Sequence, residues 1–293
     1  MKLLNDYLRE TFGCKVYKIA LNGGFTCPNR DGTIDTGGCI FCSAGGSGEF
    51  AADPHKGIAE QIKEAKRRVS RKVKDGKYIA YFQAYSGTYA PVERLRSLYT
   101  EAMEDPDVVA LSVATRPDCL HEEVLELLSE MRQIKPVWIE LGLQTIHPDT
   151  ATYIRRGYEL PVYDEAVSAL RKRDIEVIAH VIIGLPGETP ADMVETVRYV
   201  CNSGATGIKL QLLHVLSGTD LAKEYALGKV QVLSEDAYID ILKECVKVIP
   251  ENVVIHRLTG DGDKKILIAP KWSGNKKHVW NRIQREVIPV EYI

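Results

Sequence analysis

No stretch of this sequence is apolar for long enough to cross a membrane, and none is built from only a few residue types. The first absence excludes a spanning helix. The second excludes a disordered or fibrous chain, in line with 45% hydrophobic and 27% charged residues among 293. The opening segment, MKLLNDYLRETFG, lacks the apolar run of a secretory signal and carries Asp6, Arg9 and Glu10. A cytoplasmic protein without a membrane partner is therefore expected. Cysteine is scarce, seven in all, and an odd number in a reducing compartment argues against a disulfide framework. Cysteines grouped in sequence are then candidate metal ligands.

Acid is missing from one region. Lys264 to Arg285 holds seven Lys or Arg and no Asp or Glu, although the whole chain has a net charge of -2. Trp272 and Trp280, two of the three tryptophans, lie inside it. One reading is a solvated surface segment docked by its tryptophans. The other is contact with nucleic-acid phosphates, with aromatic faces available for stacking. Lys63 to Lys77 is also basic but reads as an ordinary helix with one wet face.

What is present elsewhere is alternation. Apolar runs of strand character cover Val16 to Asn22, Tyr78 to Tyr85, Val108 to Ala114, Val137 to Leu143, Glu176 to Ile183, Ile208 to His214 and Val253 to Leu258. Helical periods fall between them at Ile58 to Val73, Val92 to Glu104, Glu122 to Arg132, Tyr163 to Arg173, Ala191 to Cys201 and Glu235 to Val248. Strands apolar on both faces, joined by helices, make a parallel sheet. The expected fold is α/β: a partial (β/α) barrel of six or seven units over residues 1–263, with a basic extension, 264–293, packed on it. A doubly wound open sheet fits the same periodicity. Gly-rich polar loops follow the strands, as at Ser86-Gly87-Thr88, Gly184-Leu185-Pro186-Gly187 and Thr259-Gly260-Asp261. In parallel α/β folds, the site lies at these carboxyl ends.

The first strand leads into Cys27, then eleven residues, then Cys39-Ile40-Phe41-Cys42. A structural zinc ion takes four ligands, so this loop would need Cys14 or His55 from outside. An iron–sulfur cluster held by three cysteines keeps one iron open for chemistry. Of the remaining cysteines, Cys14, Cys201 and Cys245 read as packing residues, and Cys119 stands after a strand on the active face.

The three-cysteine loop resembles that of the radical S-adenosylmethionine (SAM) enzymes, which carry it after the first strand of a partial barrel, with an aromatic residue before the third cysteine, as Phe41 stands here. Their usual first spacing is three residues, and longer ones occur in some branches, including the elongator catalytic subunit. The resemblance makes Cys27, Cys39 and Cys42 the ligands of a 4Fe-4S cluster. It implies SAM contacts at Ser86, Gly87 and Thr88, at Gln144, at Arg156 for the methionyl carboxylate, and at Ile183 and Gly184 for adenine and ribose. His180, Leu212 and His214 are further candidates for the cofactor pocket. Relatives often have a carboxylate two residues before Arg116; here that position is Ala114, and Glu140 is the candidate substitute. His256, Arg257 and Asp261, at the end of the last strand, are the candidates for contact with substrate.

LNGGFTCPNRDGT, GGCIFCSAGGSGEF, YIAYFQAYSGTYAPVE, ATRPDCL, LGLQT and VIHRLTGDG together resemble a bacterial subgroup typified by YtqA and YhcC. Its Bacillus-type branch is associated with the tRNA wobble uridine, converting a carboxymethylaminomethyl group to aminomethyl. That resemblance implies tRNA as substrate and a flavodoxin- or ferredoxin-type reductant. A small-molecule substrate and a zinc-stabilised RNA-binding module are the competing readings.

Overall fold

In a computed structural model of the protein, residues 1–70, 76–260 and 262–289 are described. Arg71, Lys72 and Lys74 of the upstream basic stretch, and the candidate Asp261, lie outside the described residues. All seven apolar runs form strands. The chain opens with β1 (Lys2–Leu3), α1 (Leu4–Phe12) and β2 (Val16–Leu21), then α2 (Ile58–Val69), β3 (Lys77–Phe82), α3 (Val92–Glu104), β4 (Val108–Thr115) and α4 (Glu122–Ile134). β5 (Val137–Gln144), α5 (Pro148–Tyr153), α6 (Leu160–Arg171), β6 (Glu176–Ile183), α7 (Pro190–Asn202), β7 (Gly207–Leu212), β8 (Val215–Leu216) and α8 (Asp220–Ala226) follow. α9 (Glu235–Lys247), β9 (Val254–Arg257), β10 (Leu267–Ala269) and α10 (Lys276–Glu286) complete it. Helix starts are set locally: Thr189 and Asp192 form a reciprocal cap on α7, and the Ser234 hydroxyl accepts from the Ala237 N–H at α9.

Eight strands pair in parallel in the order β1-β9-β7-β6-β5-β4-β3-β2. Neighbours run in sequence from β2 to β7, with no reversal of order, so this is a half-barrel and not a doubly wound sheet. The two-residue β1 is the strand that sequence pattern does not reveal. β1 and β2 do not pair, and α1 crosses the seam between them. Leu8 of α1 meets Val16, Ile79, Ala110, Trp138 and Ile178, inward residues near the amino ends of β2 to β6. This apolar plug closes the lower end of the barrel. Outward residues of the same strands, such as Ile19, Phe82, Ile139 and Ile183, form the larger core under the helices.

The basic segment is folded onto the barrel. β10 pairs antiparallel with β8, and α10 packs on α9 with Val279 and Ile283 buried. Trp272 Nε1 donates to the Leu233 carbonyl at 3.1 Å, and its ring lies 5.6 Å from that of Tyr238. Trp280 stays partly exposed. Among the described residues, no helix is long and apolar enough to cross a membrane.

Candidate active site

The strand period of two sends alternate side chains into the barrel. Above the plug, these are Lys18 on β2, Tyr81 on β3, Ser112 on β4, Glu140 on β5, His180 on β6 and Lys209 on β7. Glu140 has no exposed surface, and its oxygens are shared. Lys18 donates to Oε1, as does Ser112 at 2.7 Å; Lys209 donates to Oε2, which lies 2.8 Å from His180 Nε2. Burial alone would raise this carboxyl, but the two ammoniums and His180 outweigh it and hold Glu140 well below the carboxylate range. Burial lowers Lys209 to about 7 against the pull of Glu140. Burial, reinforced by Lys209, lowers His180 to about 4.

A cavity of about 890 Å³ opens above this layer. It reaches the strand ends and also the flank of the barrel, where Leu4, Asn5 and Lys15 line it at the seam.

Cys27, Cys39 and Cys42 all line this cavity. The eleven-residue spacing is taken up by a loop that returns on itself. Ile34 N–H donates to the Pro28 carbonyl at 2.8 Å and Gly38 N–H to that of Asn29 at 2.7 Å, while residues 31–37 are exposed. Cys39 is thereby brought back beside Cys27. Asn29 Nδ2 anchors the loop on the carbonyls of Arg155 (2.8 Å) and Arg156 (3.2 Å). Arg30 donates to the carbonyls of Cys42 and Ser43 at 2.7 and 2.8 Å.

Burial raises Cys39 to about 11 and also raises Cys42, whereas Arg116 lowers the first and Arg30 the second. Those guanidiniums are placed to offset the negative charge of thiolates once a metal replaces their protons. Among the described residues, the one grouping of His, Cys, Asp and Glu whose three ligand atoms all lie within 4.8 Å is His147, Asp192 and Glu195. At least one pair of the three cysteine sulfurs is thus more than 4.8 Å apart, wider than the roughly 4 Å at which one tetrahedral zinc, with Zn–S near 2.3 Å, holds its sulfurs. A donor set of three spread thiols beside two cations fits a multi-iron cluster.

The candidates for SAM divide. Ser86 Oγ and Gln144 Oε1 are buried at the cavity without a hydrogen-bond partner among the described residues, which fits a polar cofactor there. Glu140, Arg156, His180, Leu212 and His214 also line the cavity, as do the substrate candidates His256 and Arg257. Gly87, Thr88, Ile183 and Gly184 do not. Thr88 Oγ1 lies 2.6 Å from Thr115 Oγ1 and donates to the Cys119 carbonyl at 2.8 Å. Ile183 points outward into the core. A Cβ on Gly87 would stand 2.6 Å from Val113 Cγ1, and one on Gly184, where φ is +93°, 2.9 Å from Leu233 Cδ1. These four residues shape the backbone behind the wall. Cys119 is buried below the surface, its thiol pushed up to about 12 by burial and Asp118.

Sequence reading misses Lys18, Lys209 and Gln211. The available signal is a lysine at an inward position of an apolar strand, in VYKIAL and GIKLQL.

A parallel half-barrel with a three-cysteine loop over a deep polar cavity defines an enzyme that generates its reactive species at a cluster under cover. The radical SAM superfamily model matches residues 26–200 and the radical SAM C-terminal domain model residues 205–288; the chain belongs to the radical SAM superfamily, enzymes that use a 4Fe-4S cluster and SAM. It is similar to YtqA of Bacillus subtilis (strain 168), 47% identical over 284 residues, covering 97% of this chain and 88% of that one. It is also similar to a tRNA uridine(34) acetyltransferase of Methanocaldococcus jannaschii, 24% identical over 163 residues, 55% of this chain and 30% of the other. Among solved structures, the archaeal Methanocaldococcus infernus Elp3 with an N-terminal deletion superimposes with a TM-score of 0.70 at 15% identity, over 92% of this chain and 63% of that longer one. The fold is shared. Membership in an enzyme superfamily sets aside the zinc-stabilised RNA-binding module.

Proposed function

We propose that this enzyme modifies tRNA at the wobble uridine, converting a carboxymethylaminomethyl group to aminomethyl. The observation that carries the reading is Lys276. It begins α10, lines the same cavity as the cysteines and stands 5.1 Å from the ring of Phe50. This basic helix, whose one acid, Glu286, closes its far end, therefore starts at the rim, where an RNA backbone would lie while one base enters. Similarity to a protein named for tRNA uridine(34) supports the same substrate class.

A bound cluster would supply the electron for reductive cleavage of SAM, and a flavodoxin- or ferredoxin-type protein is the proposed reductant. Cys27, Cys39 and Cys42 would hold the cluster. Ser86 and Gln144 would offer SAM their unpartnered polar atoms, with His214 and Leu212 as neighbouring walls. His256 and Arg257 face the substrate. The barrel walls would shield a reactive carbon species from bulk solution except at the mouth and the seam. Nucleoside mass spectrometry of tRNA from a strain lacking the gene tests the proposal. Accumulation of carboxymethylaminomethyluridine with loss of the aminomethyl form is expected, and an unchanged nucleoside profile overturns it.

A further inference from the structure

We infer that the polar layer at the bottom of the cavity is a binding site for a single carboxylate carried by the substrate. This rests on the cavity being the substrate chamber, and not on the substrate being tRNA. Two ammoniums, Lys18 and Lys209, converge on one carboxylate, Glu140, from its two oxygens. Glu140 is fully buried, and the Lys209 side chain is 6% exposed. With both lysines charged, the cluster holds two cations to one anion and is one negative charge short; an uncompensated charge in such a place is costly, and Lys209 meets that cost by giving up its proton readily, near 7.

The groups facing the layer are Lys18 from β2, Tyr81 from β3, Ser112 from β4, Glu140 from β5, His180 from β6, Lys209 and Gln211 from β7, and His256 and Arg257 from β9. Glu140 is the one acid among them. Among the described residues, the other acids on the cavity wall are Glu49 and Asp263, in the loop after Cys42 and the loop after β9, at the mouth. Arg257 has contacts of its own, and the charge balance is drawn on the two lysines alone. Neutral groups complete the site: the Tyr81 hydroxyl is 3.5 Å from Lys209 Nζ, and His256 Nδ1 is buried without a partner among the described residues.

Depth sets what can reach this layer. Lys18 lies three residues before the end of β2 and Lys209 three before the end of β7, roughly 10 Å below the strand ends. The anion must be the far tip of a ligand whose body sits higher, near the cysteines. One missing charge matches a monoanionic carboxylate better than a phosphate dianion. Burial keeps Lys209 near half-protonation at neutral pH, so an arriving anion should draw a proton onto it.

The test follows the lysine Cε resonances by NMR in protein labelled with 13C-lysine, using Lys18→Met and Lys209→Met for assignment. The wild type is titrated with pH in chloride, acetate or inorganic phosphate at equal ionic strength. Acetate should raise the Lys209 midpoint by about one unit or more. An unmoved midpoint, or one that phosphate moves and acetate does not, overturns the inference. Calorimetry with two nucleosides, carboxymethylaminomethyluridine and aminomethyluridine, separates this idea from the tRNA reading. The wild type should bind the first roughly tenfold more tightly, and each lysine variant should bind the two alike. If the wild type binds both equally while acetate still shifts Lys209, the wobble-uridine reading fails and the carboxylate site stands. Discrimination that survives in both lysine variants overturns the site.

Discussion

Arg116 donates to the main-chain carbonyl of Arg156 at 2.7 Å, and both guanidiniums lie over the ring of Tyr158, at 5.3 and 4.4 Å. Arg156 in turn donates to the carbonyls of Thr145 (2.6 Å), Leu143 (3.3 Å) and Tyr158 (3.0 Å). Since Asn29 rests on the carbonyls of Arg155 and Arg156, this pair holds the shelf on which the cysteine loop sits.

Arg156→Ala should therefore lower stability as well as SAM affinity. Three carbonyls are left without a charged donor, at a cost of about 2–4 kcal/mol, and lysine cannot reproduce the forked geometry. Thermal melting beside SAM titration checks this. A variant with normal melting and weakened SAM binding would make Arg156 a clamp on SAM alone.

Replacing any one of Cys27, Cys39 and Cys42 by Ala should abolish reductive SAM cleavage with little change in circular dichroism, because the cysteines stand on a loop above the strands. Normal 5'-deoxyadenosine release from such a variant would refute the assignment.

Gly87→Ala should destabilise the protein by about 1–3 kcal/mol, since the added Cβ meets Val113 and the Ala114 carbonyl, and the latter is backbone. Denaturant unfolding reads this directly, and an unchanged midpoint would show that the loop shifts freely.

Acid should weaken the fold through His180. Its ordinary value of 6.5 falls to about 4 in the barrel, so between those values the unfolded chain binds a proton that the folded one does not. Stability is then lost as pH falls from 6.5 towards 4, by up to about 3 kcal/mol from this group. His180→Gln should flatten that part of the curve, and an identical slope in the variant would assign the effect elsewhere.

Neutralising Lys271, Lys276 and Lys277 together should weaken tRNA binding and reduce the salt slope by roughly 0.7–0.9 for each phosphate left without its lysine, with substrate-free SAM cleavage intact. Lys271 Nζ donates to the Leu267 carbonyl, so its share should be the smallest. Equal affinity and equal slope in the triple variant would remove α10 from the RNA interface.

Periodicity is legible where an element's packing repeats along it. The seven long strands and the six longer helices between them follow from alternation and caps, with boundaries within a few residues except near Tyr85, where φ is +57° and β3 has already ended, and at Val73, the expected end of the first of these helices, which lies outside the described residues. α1 and α10 are not legible, because each buries few residues, Leu8 in one and Val279 and Ile283 in the other. The cysteines are legible because three share one loop. The polar layer is not, because Lys18, Glu140 and Lys209 are separated by more than a hundred and by sixty-nine residues, and only barrel closure makes them neighbours. For Arg156 the motif identifies the residue but not that its Nε and Nη1 donate to main-chain carbonyls.

The unpaired seam between β1 and β2 gives the chamber a side door. In a closed ring of strands, a polymer lying across the mouth would seal everything beneath it until it departed. Here the cavity also reaches the exposed Asn5 and Lys15 on the flank, so water and small fragments have a route that does not pass the rim. On the tRNA reading, small molecules would then move independently of the large one, and the residence time of a bulky substrate would not set the pace at which the chamber empties.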